Sequence, residues 1–198
     1  MKNRELTSLA TARRRYGVIL ADPPWPFQTY SGPKIPQRAK VAHYETMPVA
    51  DIKALPVGRV AAEDCALFLW VTWPLLSAGL EVMRAWGFKY KTCGFAWFKG
   101  NTLPLFPDDF VPRMGMGYWT RANSEVCLLG TRGRPKRLHA DVRQAITEPA
   151  RENSRKPDCA HERIERLVAG PYLELFARER RKGWDAWGNE VGKFKAAA

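Results

Sequence analysis

The chain has 198 residues, 45% of them hydrophobic, which suffices for one α/β domain and excludes a disordered or fibrous protein. Its 32 Lys and Arg against 20 Asp and Glu leave a formal charge of +12, which favours a polyanionic partner, most simply nucleic acid. The basic N-terminus MKNRELTSLATARRR lacks the apolar core of a secretion signal, and no apolar run reaches membrane-spanning length, so no membrane association is expected.

The first apolar run, Tyr16 to Ala21, reads as a buried strand and ends abruptly in Asp22-Pro23-Pro24-Trp25. A Pro- and Gly-containing stretch follows, then a short helix from Val49 to Leu55 after Pro48. Ala66 to Thr72 is a second continuous apolar run, as expected of a strand covered on both faces. Pro74 opens a helix whose apolar positions run from Leu75 to Trp86, and Gly87 closes it.

Tyr90 to Phe98 and Ser124 to Gly130 read as further strands, with a long Pro- and Gly-rich loop, functional or disordered, expected between them. Pro157 to Val168 has one apolar face (Cys159, Ile164, Leu167, Val168) and is expected to be helical. Tyr172 to Ala177 and Trp184 to Trp187 complete the strands. The four cysteines (Cys65, Cys93, Cys127, Cys159) show no metal-ligand spacing, so no metal site is expected, and a reduced cytoplasmic setting is the simple reading.

Strands alternating with helices imply a mainly parallel sheet with helices on both sides, whose ligands bind beyond the carboxyl ends of the strands. Asp22 and Arg178 both follow such ends. Each proline fixes its own φ and lacks an N–H, so Asp-Pro-Pro-Trp is a stiff set of acceptors beside an aromatic face. That set suits a planar amine: acceptors take the amino hydrogens, Trp25 stacks on the ring, and the nitrogen lone pair is freed for attack. The competing reading of the same residues is a rigid strand-ending turn with a core tryptophan.

The motif DPPW after an apolar strand resembles the catalytic motif of amino-methyltransferases that use S-adenosylmethionine. More narrowly, the chain is similar to the catalytic-subunit family of the messenger-RNA adenine N6-methyltransferase, which has bacterial and phage members acting on DNA. The resemblance is carried by HYETM (His43 to Met47), LFLWVT (Leu67 to Thr72), AWGFKY (Ala85 to Tyr90), FAWFKGN (Phe95 to Asn101) and GMGYWTRANSEVCLLGTRG (Gly115 to Gly133). It continues through SRKPD (Ser154 to Asp158), ERIERLVAGPYLELFAR (Glu162 to Arg178) and WGNE (Trp187 to Glu190), so it covers most of residues 16 to 190.

The resemblance implies a single Rossmann-like methyltransferase domain, with residues 1–15 as a basic arm, 16–190 as the core and 191–198 as a tail. Its strand order is permuted: the catalytic strand comes first and the cofactor strand lies near the C-terminus. It implies Asp22, Pro23, Pro24 and Trp25 as the catalytic set and S-adenosylmethionine as the cofactor. Asp22 also approaches the cofactor's amino group, Lys156 its carboxylate, Arg178 its ribose region, and Asn189 and Glu190 its nucleoside end. The stretch Glu179-Arg180-Arg181 departs from the eukaryotic pattern, leaving Arg180 as a further cofactor candidate.

Tyr44 matches a tyrosine of the substrate loop. The basic run Arg132, Arg134, Lys136, Arg137, together with Arg13 to Arg15 and Arg178 to Lys182, is expected to contact phosphates. The substrate reading is adenine N6, in DNA more than in RNA, with an RNA adenine methyltransferase as one alternative and a homo- or hetero-oligomer left open. A non-catalytic nucleic-acid-binding subunit of the same fold is the other. Protein glutamine methylation, which usually takes Asn where this chain has Asp22, is the remote one.

Overall fold

A computed structural model describes residues 8–26, 46–103, 106–113, 119–151 and 155–194. Tyr44 and most of the stretch after DPPW lie outside the described residues, as do Gly115 and Gly117. No helix among the described residues is long and apolar enough to cross a membrane.

In chain order the elements are β1 (Tyr16–Ala21), α1 (Val49–Ala54), α2 (Val57–Val60), β2 (Ala61–Val71), α3 (Leu76–Ala85), β3 (Lys89–Leu103) and β4 (Phe106–Pro112). They continue with β5 (Ser124–Arg132), β6 (Ala145–Glu148), α4 (Cys159–Leu167), β7 (Tyr172–Leu175) and β8 (Trp184–Trp187). A 3-10 turn at Trp73–Leu75 places Pro74 at the start of α3, where its missing N–H costs nothing. Gly87, at φ +85°, supplies the left-handed turn that releases the chain from α3 into β3.

The eight strands form one sheet in the order β4-β3-β5-β2-β1-β7-β8, with β6 beside β3. Successive residues of a strand face opposite sides, and β1 shows this directly. Ile19 and Ala21 join a core with residues of α1, α2 and α3, whereas Val18 and Leu20 join a second core with Ala160 and Ile164 of α4. Both β1 and the Cys65–Val71 half of β2 are therefore nearly unbroken apolar runs, each fully buried Leu, Ile or Val being worth about 1.5–3 kcal/mol.

The sheet is mixed rather than mainly parallel. Strands β2, β1, β7 and β8 run parallel, as β6 does to β3, but β5 is antiparallel to both β2 and β3, and β4 is antiparallel to β3. Among the described residues no helix intervenes between β3 and β5 to carry the chain back across a sheet face for a parallel return. The expected long loop is in part the β3–β4 hairpin. Its prolines sit on an edge strand, where they cost fewest ladder bonds.

Strand direction decides what shares an edge. Val71 pairs with Val126 and Cys65 with Arg132, so the start of β5 lies at the carboxyl end of β2 and the end of β5 at the opposite side of the sheet. At the strand rise, seven residues from Glu125 to Arg132 span about 24 Å.

Candidate active site

Ala21 pairs with Leu69 on one side and Leu175 on the other, so Asp22 emerges from the centre of the parallel half. Its Oδ2 accepts a hydrogen bond from Lys156 Nζ at 2.6 Å across 134 residues of sequence. Lys156 Nζ is also 3.4 Å from Glu125 Oε2 and lies 5.8 Å from the centre of the Trp70 ring. The other oxygen of Glu125 accepts from Lys99 Nζ. Asp22, Lys156, Glu125 and Lys99 thus form a chain of alternating charge, contributed by β1, the segment before α4, β5 and β3.

Burial pushes the Asp22 carboxyl up from its ordinary range, and Lys156 opposes this without cancelling it. Burial also works against the charge of Glu125, but the Lys156 and Lys99 ammoniums outweigh it and hold that carboxyl low. For Lys156 burial again opposes the charge, and the two carboxylates more than compensate, raising its pKa. The middle of the chain is therefore charged at neutral pH. Asp22 Oδ1 has no hydrogen-bond partner among the described residues and remains available to a ligand.

The prolines are already in use on one side each. The Pro23 carbonyl accepts the N–H of Trp25 and the Pro24 carbonyl that of Met47, both at 2.8 Å. A carbonyl has two lone pairs, so each keeps one acceptor site. Trp25 departs from the expected open stacking face. It is 7% exposed, donates Nε1–H to the Trp70 carbonyl at 2.9 Å, and packs in the core on the α1–α3 side. An indole whose polar atom is satisfied by backbone is favoured as a core bracket, and here it ties the DPPW turn to the end of β2.

Beside Asp22 opens a cleft of about 510 Å³, its solvent mouth included, lined among others by Trp70, Lys156, His161, Glu174, Phe176 and Arg178. Phe176 has φ +61°, an uncommon backbone state for a bulky residue, at the turn where β7 gives way to Arg178. Its ring packs edge-on against Trp187, 5.4 Å between centroids. Arg178 Nε reaches Glu190 Oε2 at 3.3 Å, so two of the expected cofactor residues meet. Asn189 is exposed next to them, and Arg180 is exposed and does not line the cleft.

A second set of ion pairs holds the two halves of the cleft together. Arg155 binds Glu179 at 2.6 Å, and Asp158 takes Arg181 at 2.6 Å and Arg151 at 2.5 Å. Partial burial works against the Asp158 charge, but the arginines outweigh it and hold the carboxyl below its usual range. This network fastens the segment carrying Lys156 to the turn after β7. The stretch expected as a tail takes part as well: the N–H groups of Gly192 and Phe194 bond the Arg178 carbonyl, and the Phe194 ring lies 5.3 Å from the Arg155 guanidinium.

Arg132, Arg134, Lys136 and Arg137 are not brought to this site. Arg132 pairs with Cys65 at the far end of β2, and its Nη1 bonds the Gly58 carbonyl at 2.7 Å. Arg137 bridges to Val168, past the far end of α4. Conversely, sequence reading overlooked Glu125, Lys99, His161, Glu174, Arg155 and Phe194. An acid heading the apolar run SEVCLLG was the signal for Glu125, since such a residue is rarely buried unless paired.

The MT-A70 family model matches residues 16–190. The chain is 30% identical to the Type II methyltransferase M.MunI of a Mycoplasma species, over 90% of this chain and 79% of that protein. It is 33% identical to an N(6)-adenosine-methyltransferase MT-A70-like protein of Arabidopsis thaliana over 89% of this chain, spanning only 24% of that relative. To the human N(6)-adenosine-methyltransferase catalytic subunit METTL3 it is 30% identical over 89% of this chain and 28% of that protein. With the match running from the start of β1 to beyond β8, the chain belongs to the MT-A70 family.

Proposed function

We propose that the chain transfers the methyl group of S-adenosylmethionine to the exocyclic N6 of adenine in a polynucleotide, DNA in preference to RNA. One observation carries this reading: a partly buried carboxylate with one free oxygen, Asp22, lines a cleft and is paired to Lys156 from a distant segment. Membership of the MT-A70 family supports the reaction class, and the strand carrying DPPW coming first, with β7 near the C-terminus, supports the permuted order. The 30% identity to a Type II methyltransferase, over 79% of that protein, supports DNA.

The cleft's chemistry fits the cofactor. Lys156 would take its carboxylate, Asp22 its amino group, and Arg178 with Glu190 and Asn189 its ribose and nucleoside end, while Phe176 and Phe194 offer apolar surface. Bound there, the cofactor supplies a methyl group on a sulfonium, an electrophile that leaves behind a neutral thioether. Asp22 Oδ1 accepts one amine hydrogen of the adenine and the remaining lone pair of a proline carbonyl accepts the other. These bonds draw the nitrogen lone pair out of the ring and stabilise the positive charge that grows on it. A carboxyl raised by burial is suited to take up the surplus amine proton once the new N–C bond forms.

Labelled-methyl transfer to matched single- and double-stranded DNA and RNA, followed by nucleoside analysis, tests activity, base and polymer together. N6-methyladenine is the expected product, and Asp22→Asn should lower the rate by about 10²-fold or more while the fold survives. Transfer by that variant at the wild-type rate would overturn the mechanism. Absence of both transfer and cofactor binding by calorimetry would favour a non-catalytic binding subunit.

A further inference from the structure

The cations that border the cleft are paired with carboxylates, and a cluster of cations at the opposite edge of the sheet is not. Around the cleft, Lys99, Arg151, Arg155, Lys156, Arg178 and Arg181 each face a carboxylate within ion-pair distance. At the other end of the same strands lie Arg13, Arg15, Arg59, Arg134, Lys136 and Arg137, all exposed. Among the described residues none of these six has a carboxylate within ion-pair distance of its side chain.

The fold gathers the six from three separate segments. Arg13 and Arg15 lead into β1, and Arg59 reaches back to the Ala10 carbonyl. Arg132, preceding the other three, bonds the Gly58 carbonyl next to Arg59. Lys136 and Arg137 are held against the exit of α4 by the Arg137–Val168 bridge and by Leu138 N–H on the Leu167 carbonyl. Pro171, just beyond, accepts the N–H groups of Gly17 and Val18. The acids nearby do little to offset the charge. Asp185 is occupied by Arg14 at 2.8 Å and Tyr16 at 2.7 Å, and Asp64, which takes the backbone N–H of Arg134, and Glu63 are the exposed remainder, two acids against six cations.

We propose that this far edge is a second polynucleotide surface, holding without sequence preference the phosphates of a single-stranded flank of the polymer whose adenine occupies the reaction edge. The inference rests on the methyl-transfer reading for what sits at the reaction edge. Exposed cations free of carboxylates release the counterions of a phosphate chain on binding, which is the driving force for such contacts. The two edges are about 24 Å apart through the sheet. A duplex, with a persistence length of about 150 base pairs, cannot curl from one edge to the other, whereas a flexible single strand can follow the surface.

The test measures equilibrium binding by fluorescence anisotropy, so it does not depend on methyl transfer. The probes are single strands of about 10 and about 40 nucleotides and a duplex of the longer length, over a range of salt. The protein is compared with the quadruple variant Arg59→Gln, Arg134→Gln, Lys136→Gln, Arg137→Gln, its fold checked by thermal unfolding. The long strand should bind the wild type about 10-fold or more tighter than the short one, and the variant should erase that advantage. The slope of log affinity against log salt should fall in magnitude by about 3, near 0.7 for each lost phosphate contact. Equal affinity and slope in variant and wild type would overturn the proposal, as would a long duplex bound and weakened to the same extent as the long single strand. Failure of methyl transfer with this binding pattern intact would count against the reaction alone.

Discussion

Lys156 Nζ stands 2.6 Å from Asp22 Oδ2 and 3.4 Å from Glu125 Oε2, so one ammonium bridges two carboxylates that would otherwise repel each other beside the cleft. Removing one partner of a buried pair is costly because the other charge remains. These side chains are 12–23% exposed, so solvent offsets part of that cost. Lys156→Met is expected to lower stability by about 1–3 kcal/mol, below the roughly 3–5 kcal/mol of a fully buried pair, and to abolish cofactor binding. Thermal unfolding and calorimetry read the two effects separately.

The same cluster sets a pH profile. The Lys156 pKa is raised above 10.5, so its stabilisation is complete below pH 10.5 and is lost as pH rises through the higher folded value. Glu125 is lowered from 4.5, so its contribution is present above pH 4.5 and is lost as pH falls through the folded value. Asp22 is raised from 3.8 and acts in the opposite sense, its ionisation costing stability above its folded value. Glu125→Gln should therefore flatten the acid limb of Tm against pH, and a variant with an unchanged acid limb would refute the assignment. For activity, the acid limb of kcat/KM should have its midpoint above pH 3.8, because the role proposed for Asp22 as acceptor of the amine requires it ionised.

Trp25→Phe separates bracket from stacking platform. Phenylalanine preserves an aromatic face but leaves the buried Trp70 carbonyl without its N–H donor, a loss of about 1–3 kcal/mol. For a chain of this size Tm should fall by about 2–12 °C. A variant as stable as wild type but with raised KM for the polynucleotide would restore the stacking role.

Gly188 lies where β8 passes the turn after β7, and a Cβ there would stand 2.8 Å from the Ala177 carbonyl oxygen and 2.9 Å from its nitrogen. Both are backbone atoms in an interstrand contact, Ala177 N–H to the Trp187 carbonyl at 3.0 Å, and cannot rotate away. Gly188→Ala should cost about 1–3 kcal/mol by overpacking. It should also pull Glu190 from Arg178, weakening cofactor affinity as read by calorimetry.

Much of the site was legible in the chain itself. An apolar run ending in Asp-Pro-Pro needs only local sterics to become a strand with a stiff acceptor turn, and β1 and Asp22 lie where that reasoning puts them. Lys156, Arg178 and Glu190 were recognisable as motif residues; the pairing of β7 with β1 and β8 brings Arg178 and Glu190 to the cleft or its border, and the ion pair with Asp22 holds Lys156 there. What tertiary structure alone decided was the direction of β5. The run SEVCLLGTR has the same pattern read either way, because burial on two faces demands apolar residues without regard to polarity of the chain. Its antiparallel course brings Glu125 to Lys156 and sends Arg132 to Arg137 to the far edge. Strand direction follows from which non-local neighbours complete the ladder, and no local propensity encodes it.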